Sequence, residues 1–153
     1  MSADSFFDTN VLVYAFDRGE PRKQALAAAL VQEAGKAGTA VLSTQVLQEF
    51  FVTVTRKLAV PMEVSDARAA VADFAQLRVV EIDVPLILEA IDRASTLRIS
   101  FWDALIVTAA LAAGCRTLYT EDLSDNTVLE GLRFANPFKS AALPVGTKSR
   151  PRK

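Results

Sequence analysis

Residues 5–16, SFFDTNVLVYAF, set one carboxylate, Asp8, between a pair of phenylalanines and a run of aliphatic side chains. An unpaired carboxylate buried among such neighbours costs several kcal/mol. Asp8 must therefore be exposed at the end of an element, cap a helix, or hold a cation. The triplet SFF reads as a short strand and a helix begins near Asn10, so Asp8 stands where a strand gives way to a helix.

The same alternation continues outward. AVLS (40–43), VVEID (79–83), TLYT (117–120) and LRFAN (132–136) are the other predicted strands. Between them, PRKQALAAALVQEAGKAG (21–38) opens on Pro21 and closes at Gly38, the usual punctuation of a helix. TQVLQEFFVTVTRKL (44–58), VSDARAAVADFAQL (64–77), PLILEAIDRASTL (85–97) and SFWDALIVTAALAAG (100–114) supply further helices. Strand–helix alternation predicts an α/β fold, a three-layer α/β/α sandwich with a mostly parallel sheet of four to five strands. At 153 residues and 51% hydrophobic content, one domain can bury a full core.

Two absences narrow the chemistry. The chain has no histidine and one cysteine, Cys115. That excludes a Ser-His-Asp triad, a Cys-His pair, imidazole acid–base catalysis, an internal disulfide and a Cys/His zinc site. An enzyme with this composition must work with carboxylates, lysines, hydroxyls or an oxygen-bound metal. The opening MSADSFF carries no Lys or Arg, unlike a secretory leader, and the most apolar stretch, ALIVTAALAAGC (104–115), is too short to cross a bilayer. The expectation is a soluble, cytoplasmic protein without membrane association.

Net charge is −1, from 17 basic and 18 acidic residues. Five of the basic groups (Lys139, Lys148, Arg150, Arg152, Lys153) lie in residues 139–153 with no acid. This leaves 12 basic against 18 acidic groups, a net −6, in residues 1–138. The tail, with two prolines and a glycine, is expected to be disordered, either as a solubilising end or as a contact for nucleic acid or a partner.

Ligands of parallel α/β sheets gather at the carboxyl ends of the strands. Asp8 follows the first strand, and Glu121 and Asp122 follow TLYT. Asp103 opens a helix apolar nearly all round, expected to be buried. Each has a local alternative: Asp8 and Asp103 as helix-capping groups, the latter in the Ser-x-x-Asp pattern SFWD, and Asp122 and Asp125 as loop residues. Placed together, such acids repel unless a cation lies between them, and oxygen ligands suit Mg²⁺ or Mn²⁺. Glu49 reads otherwise: Leu47, Phe50, Phe51, Val54 and Leu58 share one helical face, with Glu49 and Arg56 opposite, so periodicity alone makes it solvated.

The set FFDTNVLVYA, STQVLQEFF, ISFWDALIVTAA and LYTEDLSDN resembles, in order and spacing over about residues 4–138, the PIN-domain nucleases and within them the VapC-like toxins of toxin-antitoxin pairs. The resemblance implies a PIN-like domain over 1–138 with the tail, 139–153, outside it. It implies catalytic and metal-binding roles for Asp8, Glu49, Asp103 and Asp122, overriding the wheel for Glu49. Thr9, Asn10 and Thr120 match accompanying polar positions, and Glu121 or Asp125 could assist or replace Asp122. The implied activity is a Mg²⁺- or Mn²⁺-dependent endoribonuclease acting through an activated water. The implied partners are RNA, a VapB-like antitoxin and a second copy in a homodimer. Two readings compete. A haloacid-dehalogenase-like phosphatase also places an aspartate after its first strand, but wants Asp-x-Asp where this chain has Asn10. A non-catalytic RNA- or protein-binding module would use the acids only as caps. Arg18, Arg22, Lys23, Arg56, Lys57 and Arg98 are candidate phosphate contacts, but for any single one an ordinary solvated charge is the stronger reading, and none is assigned as a substrate ligand.

Overall fold

The computed structural model describes residues 3–139, so the basic tail beyond Lys139 lies outside it. The chain runs β1 (Ser5–Phe7), α1 (Thr9–Tyr14), α2 (Pro21–Ala37), β2 (Ala40–Ser43), α3 (Thr44–Arg56), α4 (Val64–Phe74), β3 (Arg78–Val80), α5 (Val84–Leu97), α6 (Phe101–Ala112), β4 (Thr117–Tyr119), β5 (Val128–Leu129) and β6 (Leu132–Ala135). All five runs read as strands form strands in one sheet, ordered β3-β2-β1-β4-β6-β5. Every pairing is parallel except β5 with β6.

The sixth strand is a two-residue hairpin arm. Leu129 pairs with Leu132 across Glu130 and Gly131, whose φ angles are both positive, at 52° and 86°. A two-residue turn with positive φ at both central positions matches the twist of the strands it joins. Its usual marks are Asn-Gly or Asp-Gly; here a glutamate takes the first position, and the hairpin left no sequence signal. Arg93 of α5 holds the turn through Glu130, with N–O distances of 3.0 and 3.1 Å.

Layering follows from strand order. From β1 to β2 to β3 the chain moves one way along the sheet; from β3 it returns past β1 to β4. Right-handed crossovers then place α1–α4 on one face and α5–α6 on the other. Helix contacts divide the same way: α1 packs on α2 and α3, α3 on α4, and α5 on α6. Helix ends carry local caps, those at Pro21, Gly38 and Ser100 as the sequence reading has them and those at Ser43 and Asp83 in addition. Pro21 opens α2, and Gly38, at φ 74°, closes it in the left-handed conformation that glycine adopts without penalty. Ser43, Asp83 and Ser100 accept backbone N–H groups from the first turns of α3, α5 and α6. No single helix among the described residues is long and apolar enough to cross a membrane.

The core centres on Phe6, Phe7, Val41, Leu42 and Leu118 of the sheet. Under α1–α4, the rings of Phe16, Phe50 and Phe74 pack edge to face, with centroids 5.2 to 6.1 Å apart. Phe50 is wholly enclosed. Phe50→Ala is expected to lower the unfolding free energy by about 3–5 kcal/mol in urea titrations, because the two remaining rings, Phe16 and Phe74, cannot close the cavity it leaves. Val52→Ala, on an exposed position of the same helix, should cost less than about 1 kcal/mol.

Candidate functional site

β1 and β4 are adjacent and parallel, and the connections leaving them run to opposite sides of the sheet. This is the switch point, where the loops diverge and leave a crevice beyond the strand ends. Asp8 sits at its floor. Its backbone N–H donates to Tyr119 of β4 at 3.0 Å, which continues the pairing one residue past the strand. Its carboxylate accepts the Thr9 N–H at 2.7 Å through Oδ1 and the Thr120 hydroxyl at 2.7 Å through Oδ2. Asp8 is thus both the cap of α1 and a carboxylate in the crevice; the two readings were never exclusive.

A cavity of about 660 Å³ opens above it, lined among others by Asp8, Thr9, Asn10, Glu49, Asp103 and Asp122. Each acid arrives from a different element. Asp103 is in the first turn of α6, where Ser100 caps its N–H at 3.0 Å, as SFWD predicted. Asp122 is exposed on the loop after β4, its N–H held by Thr120 Oγ1 at 3.1 Å. Thr120 therefore links the Asp122 backbone to the Asp8 carboxylate.

Glu49 departs from its helical-wheel reading. It is half-buried, accepting the Thr9 hydroxyl at 2.6 Å and the Gln45 amide at 3.2 Å. Helix α3 is covered twice, by the core along Val46, Phe50 and Val54 and by α1 on the crevice side. A wheel that divides a helix into core and water has no place for the second contact.

Two expected helpers have other employment. The Glu121 carboxylate accepts the Tyr14 hydroxyl at 3.1 Å and pairs with Lys23, whose ammonium lies over the rings of Tyr14 and Phe138. Asp125 accepts the Asn136 N–H at 2.8 Å. Neither lines the cavity. Asn10 does, its Oδ1 accepting the Glu121 N–H at 3.4 Å while its buried Nδ2 has no partner among the described residues. Of the basic candidates, Lys57 lines the cavity and Lys23 is consumed by Glu121; Arg18, Arg22, Arg56 and Arg98 are exposed and outside it.

Three lining residues carried no functional signal in the sequence reading. Gln45 is 5% exposed and bonds both Glu49 and the Trp102 carbonyl, yet its buried Oε1 has no partner among the described residues. Tyr14 was read only as part of a helix. Trp102 was expected inside with the rest of its helix; Ala104 to Ala110 are buried, but Trp102 is 61% exposed. Cys115 is core, its thiol pushed up to about 11 by burial first of all, and is no nucleophile.

Among the described residues, five acids (Asp8, Asp17, Glu49, Asp103, Asp122) and one base (Lys57) line the cavity. Burial, only partly offset by the Thr120 and Thr9 hydrogen bonds, pushes the Asp8 carboxyl up to about 7; the charges of Asp122 and Asp103 add to it. Burial, then Asp122, also raises Asp103. An anionic, oxygen-lined recess whose deepest carboxylate holds its proton near neutrality suits a hard divalent cation, whose charge would reverse that shift. Among the described residues no three acids converge into a ready-made shell. The donor set fits an ion that keeps several waters and takes one or two carboxylates directly, as Mg²⁺ does.

Residues 5–124 match the PIN domain, and the chain belongs to that family. No curated protein matches it significantly. Its fold is similar to that of Mycobacterium tuberculosis VapC20, a sarcin-ricin loop cleaving toxin, at 22% identity and a TM-score of 0.60, covering 78% of this chain and 90% of that one. A toxin-antitoxin complex from Klebsiella pneumoniae is similar at 20% identity and 0.62, covering 89% and 99%. VapBC2 of Rickettsia felis, bound to a DNA fragment from its promoter, is similar at 18% identity and 0.62, covering 86% and 97%.

Asp8 also sets a pH dependence. Its folded pKa, about 7, exceeds its ordinary 3.8. Between these values the unfolded chain has released the proton and the folded one retains it, so the metal-free protein loses stability as pH rises from 4 to 7. In thermal melts with chelator, the protein should melt lower at about pH 7.5 than at about pH 5. Mn²⁺ should raise the melting temperature more at the higher pH, where it displaces no proton. Asp8→Asn should abolish both effects and stabilise the metal-free protein near neutrality, on the order of a few kcal/mol.

Proposed function

We propose that this chain is a metal-dependent endoribonuclease and the toxin of a toxin-antitoxin pair. The observation that carries the reading is the convergence of Asp8, Glu49, Asp103 and Asp122 on one cavity at the β1/β4 switch point, in a PIN-domain chain without histidine. Solved structures of similar fold support it, since they include an RNA-cleaving toxin and toxin-antitoxin complexes.

Asp8 is the central ligand, with Asp103 and Asp122 beside it. Glu49, tethered to Thr9 and Gln45, is the fourth acid and orients water. A bound Mg²⁺ or Mn²⁺ supplies an activated water and neutralises charge at the phosphodiester. Thr9, Thr120 and Ser100 hold the carboxylates where α1, β4 and α6 begin or end, and Asn10 pins the Glu121–Asp122 loop to α1. Lys57, the one base lining the cavity among the described residues, meets an RNA phosphate. Hydrolysis cleaves the phosphorus–oxygen bond to one sugar, whose oxygen leaves with a proton from water.

The wider assignment follows the same reading: cytoplasmic, a homodimer, and restrained by a VapB-like antitoxin. The phosphatase alternative loses support because Asn10, where its second acid would stand, lies inside α1 and bonds to the Glu121 backbone. The test is cleavage of a mixed RNA substrate by the purified protein. Activity is expected with Mg²⁺ or Mn²⁺, none with chelator, and losses of about 100-fold or more for Asp8→Asn and Asp103→Asn at unchanged folded content. Cleavage that persists in chelator and in Asp8→Asn would reject the reading.

A further inference from the structure

Two parts of the chain carry opposite charge. Residues 1–138 hold 12 bases against 18 acids, and residues 139–153 hold five bases and no acid. Part of the negative excess gathers at the cavity, where five acids face one lysine among the described residues.

The point at which the chain leaves the domain is fixed, and it lies beside that cavity. Phe138, 7% exposed, sets its ring edge to face on Tyr14 at 5.0 Å, and Tyr14 lines the cavity. The Lys23 ammonium lies 5.3 Å from the centre of the Phe138 ring and bonds both the Tyr14 hydroxyl and Glu121. Two backbone donors complete the anchor: the Asn136 N–H donates to Asp125 at 2.8 Å, and the Phe138 N–H to the Asn136 side chain at 2.9 Å. The chain therefore passes to Lys139 from a point one ring away from the cavity wall.

Length and chemistry both suit a return to that wall. Nine residues separate Lys139 from Lys148, a span of up to about 30 Å at about 3.3 Å per residue. Lys148, Arg150, Arg152 and Lys153 can all reach the carboxylates across it. A segment tethered this closely acts at an effective concentration on the order of mM. Its guanidinium and ammonium groups form charge-assisted hydrogen bonds to carboxylates. RNA, by contrast, meets those carboxylates as like charge until a cation neutralises them.

We propose that in the metal-free chain residues 140–153, which lie outside the described structure, fold back over the cavity and pair their bases with its acids, so that a divalent cation must displace them. The inference rests on the metal-binding reading of this cavity and adds a competitor for the ion. Metal loading and release of the tail become one event.

The test compares the full chain with a full-length variant carrying Lys148→Gln, Arg150→Gln, Arg152→Gln and Lys153→Gln. Free Mn²⁺ is read by its electron paramagnetic resonance signal. The variant should bind Mn²⁺ about tenfold more tightly than the wild type at about 50 mM salt, and within about twofold of it at about 500 mM, because salt screens the tail's attraction. In chelator at low salt, a fluorescent peptide of residues 140–153 should bind the variant by anisotropy. Adding Asp103→Asn and Asp122→Asn to the variant should weaken the peptide about fivefold or more. Equal Mn²⁺ affinities at low salt, an unbound peptide, or peptide binding indifferent to the two acids would overturn the proposal. So would a variant that keeps the wild-type Mn²⁺ affinity but loses RNA affinity, which would assign the tail to the RNA backbone. Cleavage by the wild-type chain separates the two readings. Metal-dependent cleavage with equal Mn²⁺ affinities sinks the tail alone, whereas a tail-dependent Mn²⁺ affinity in a protein that never cleaves RNA keeps the tail and sinks the nuclease.

Discussion

Everything in this fold is arranged around a carboxylate that sits where a carboxylate is least welcome. Asp8 ends the central strand, flanked by the buried Phe6 and Phe7 before it and by Val11 to Val13 after it, and is itself 5% exposed. Two short hydrogen bonds, from the Thr9 N–H and the Thr120 hydroxyl, make its burial tolerable but leave its charge uncompensated. The remaining acids of the crevice worsen the imbalance. Burial and the neighbouring acids hold the Asp8 carboxyl at about 7, and a cation bound there would couple ligand binding to folding stability.

Topology explains why these acids meet. β1 lies between β2 and β4, and the chain turns toward opposite edges from the two sides of that central position. Glu49 comes from the α1–α4 layer and Asp103 from the α5–α6 layer, so the site bridges both faces of the sheet. Asp8 and Asp103 ride on capped helix starts next to the sheet, where side chains are held by packing. Asp122 rides on a loop, and its rigidity is borrowed. Glu121 beside it is clamped by Lys23 and Tyr14, Thr120 before it by Asp8, and Asp125 after it by Asn136. The residues that first looked like reserve ligands are the ones that hold the loop in place.

Local pattern carried the fold far. The apolar triplets and their Pro, Gly, Ser and Asp punctuation mark the strands and most helix ends within a residue or two, because caps and turn residues act through neighbours along the chain. The two-residue β5 escaped, since its Glu130-Gly131 turn lacks the usual residue pair and Arg93 supplies the hold from a distant helix. Glu49 escaped the wheel because α3 has two buried sides. Trp102 was misjudged for the opposite reason: α6 is apolar to its first turn, but the sheet and α5 cover it only from Ala104 onward.

The sequence by itself determined the order of every element except β5, the absence of imidazole chemistry, and which four acids strand-end position or motif singles out. These are properties of residue type and of spacing along the chain, and no fold can alter them. Only the tertiary structure decided which of those groups share one cavity, which of the extra acids are spent on holding the loop, and that Trp102 and Gln45 line the same cavity as Asp103. Those outcomes depend on contacts across as many as 112 residues, between Asp8 and Thr120. Long-range packing chooses among side chains that local pattern leaves equivalent.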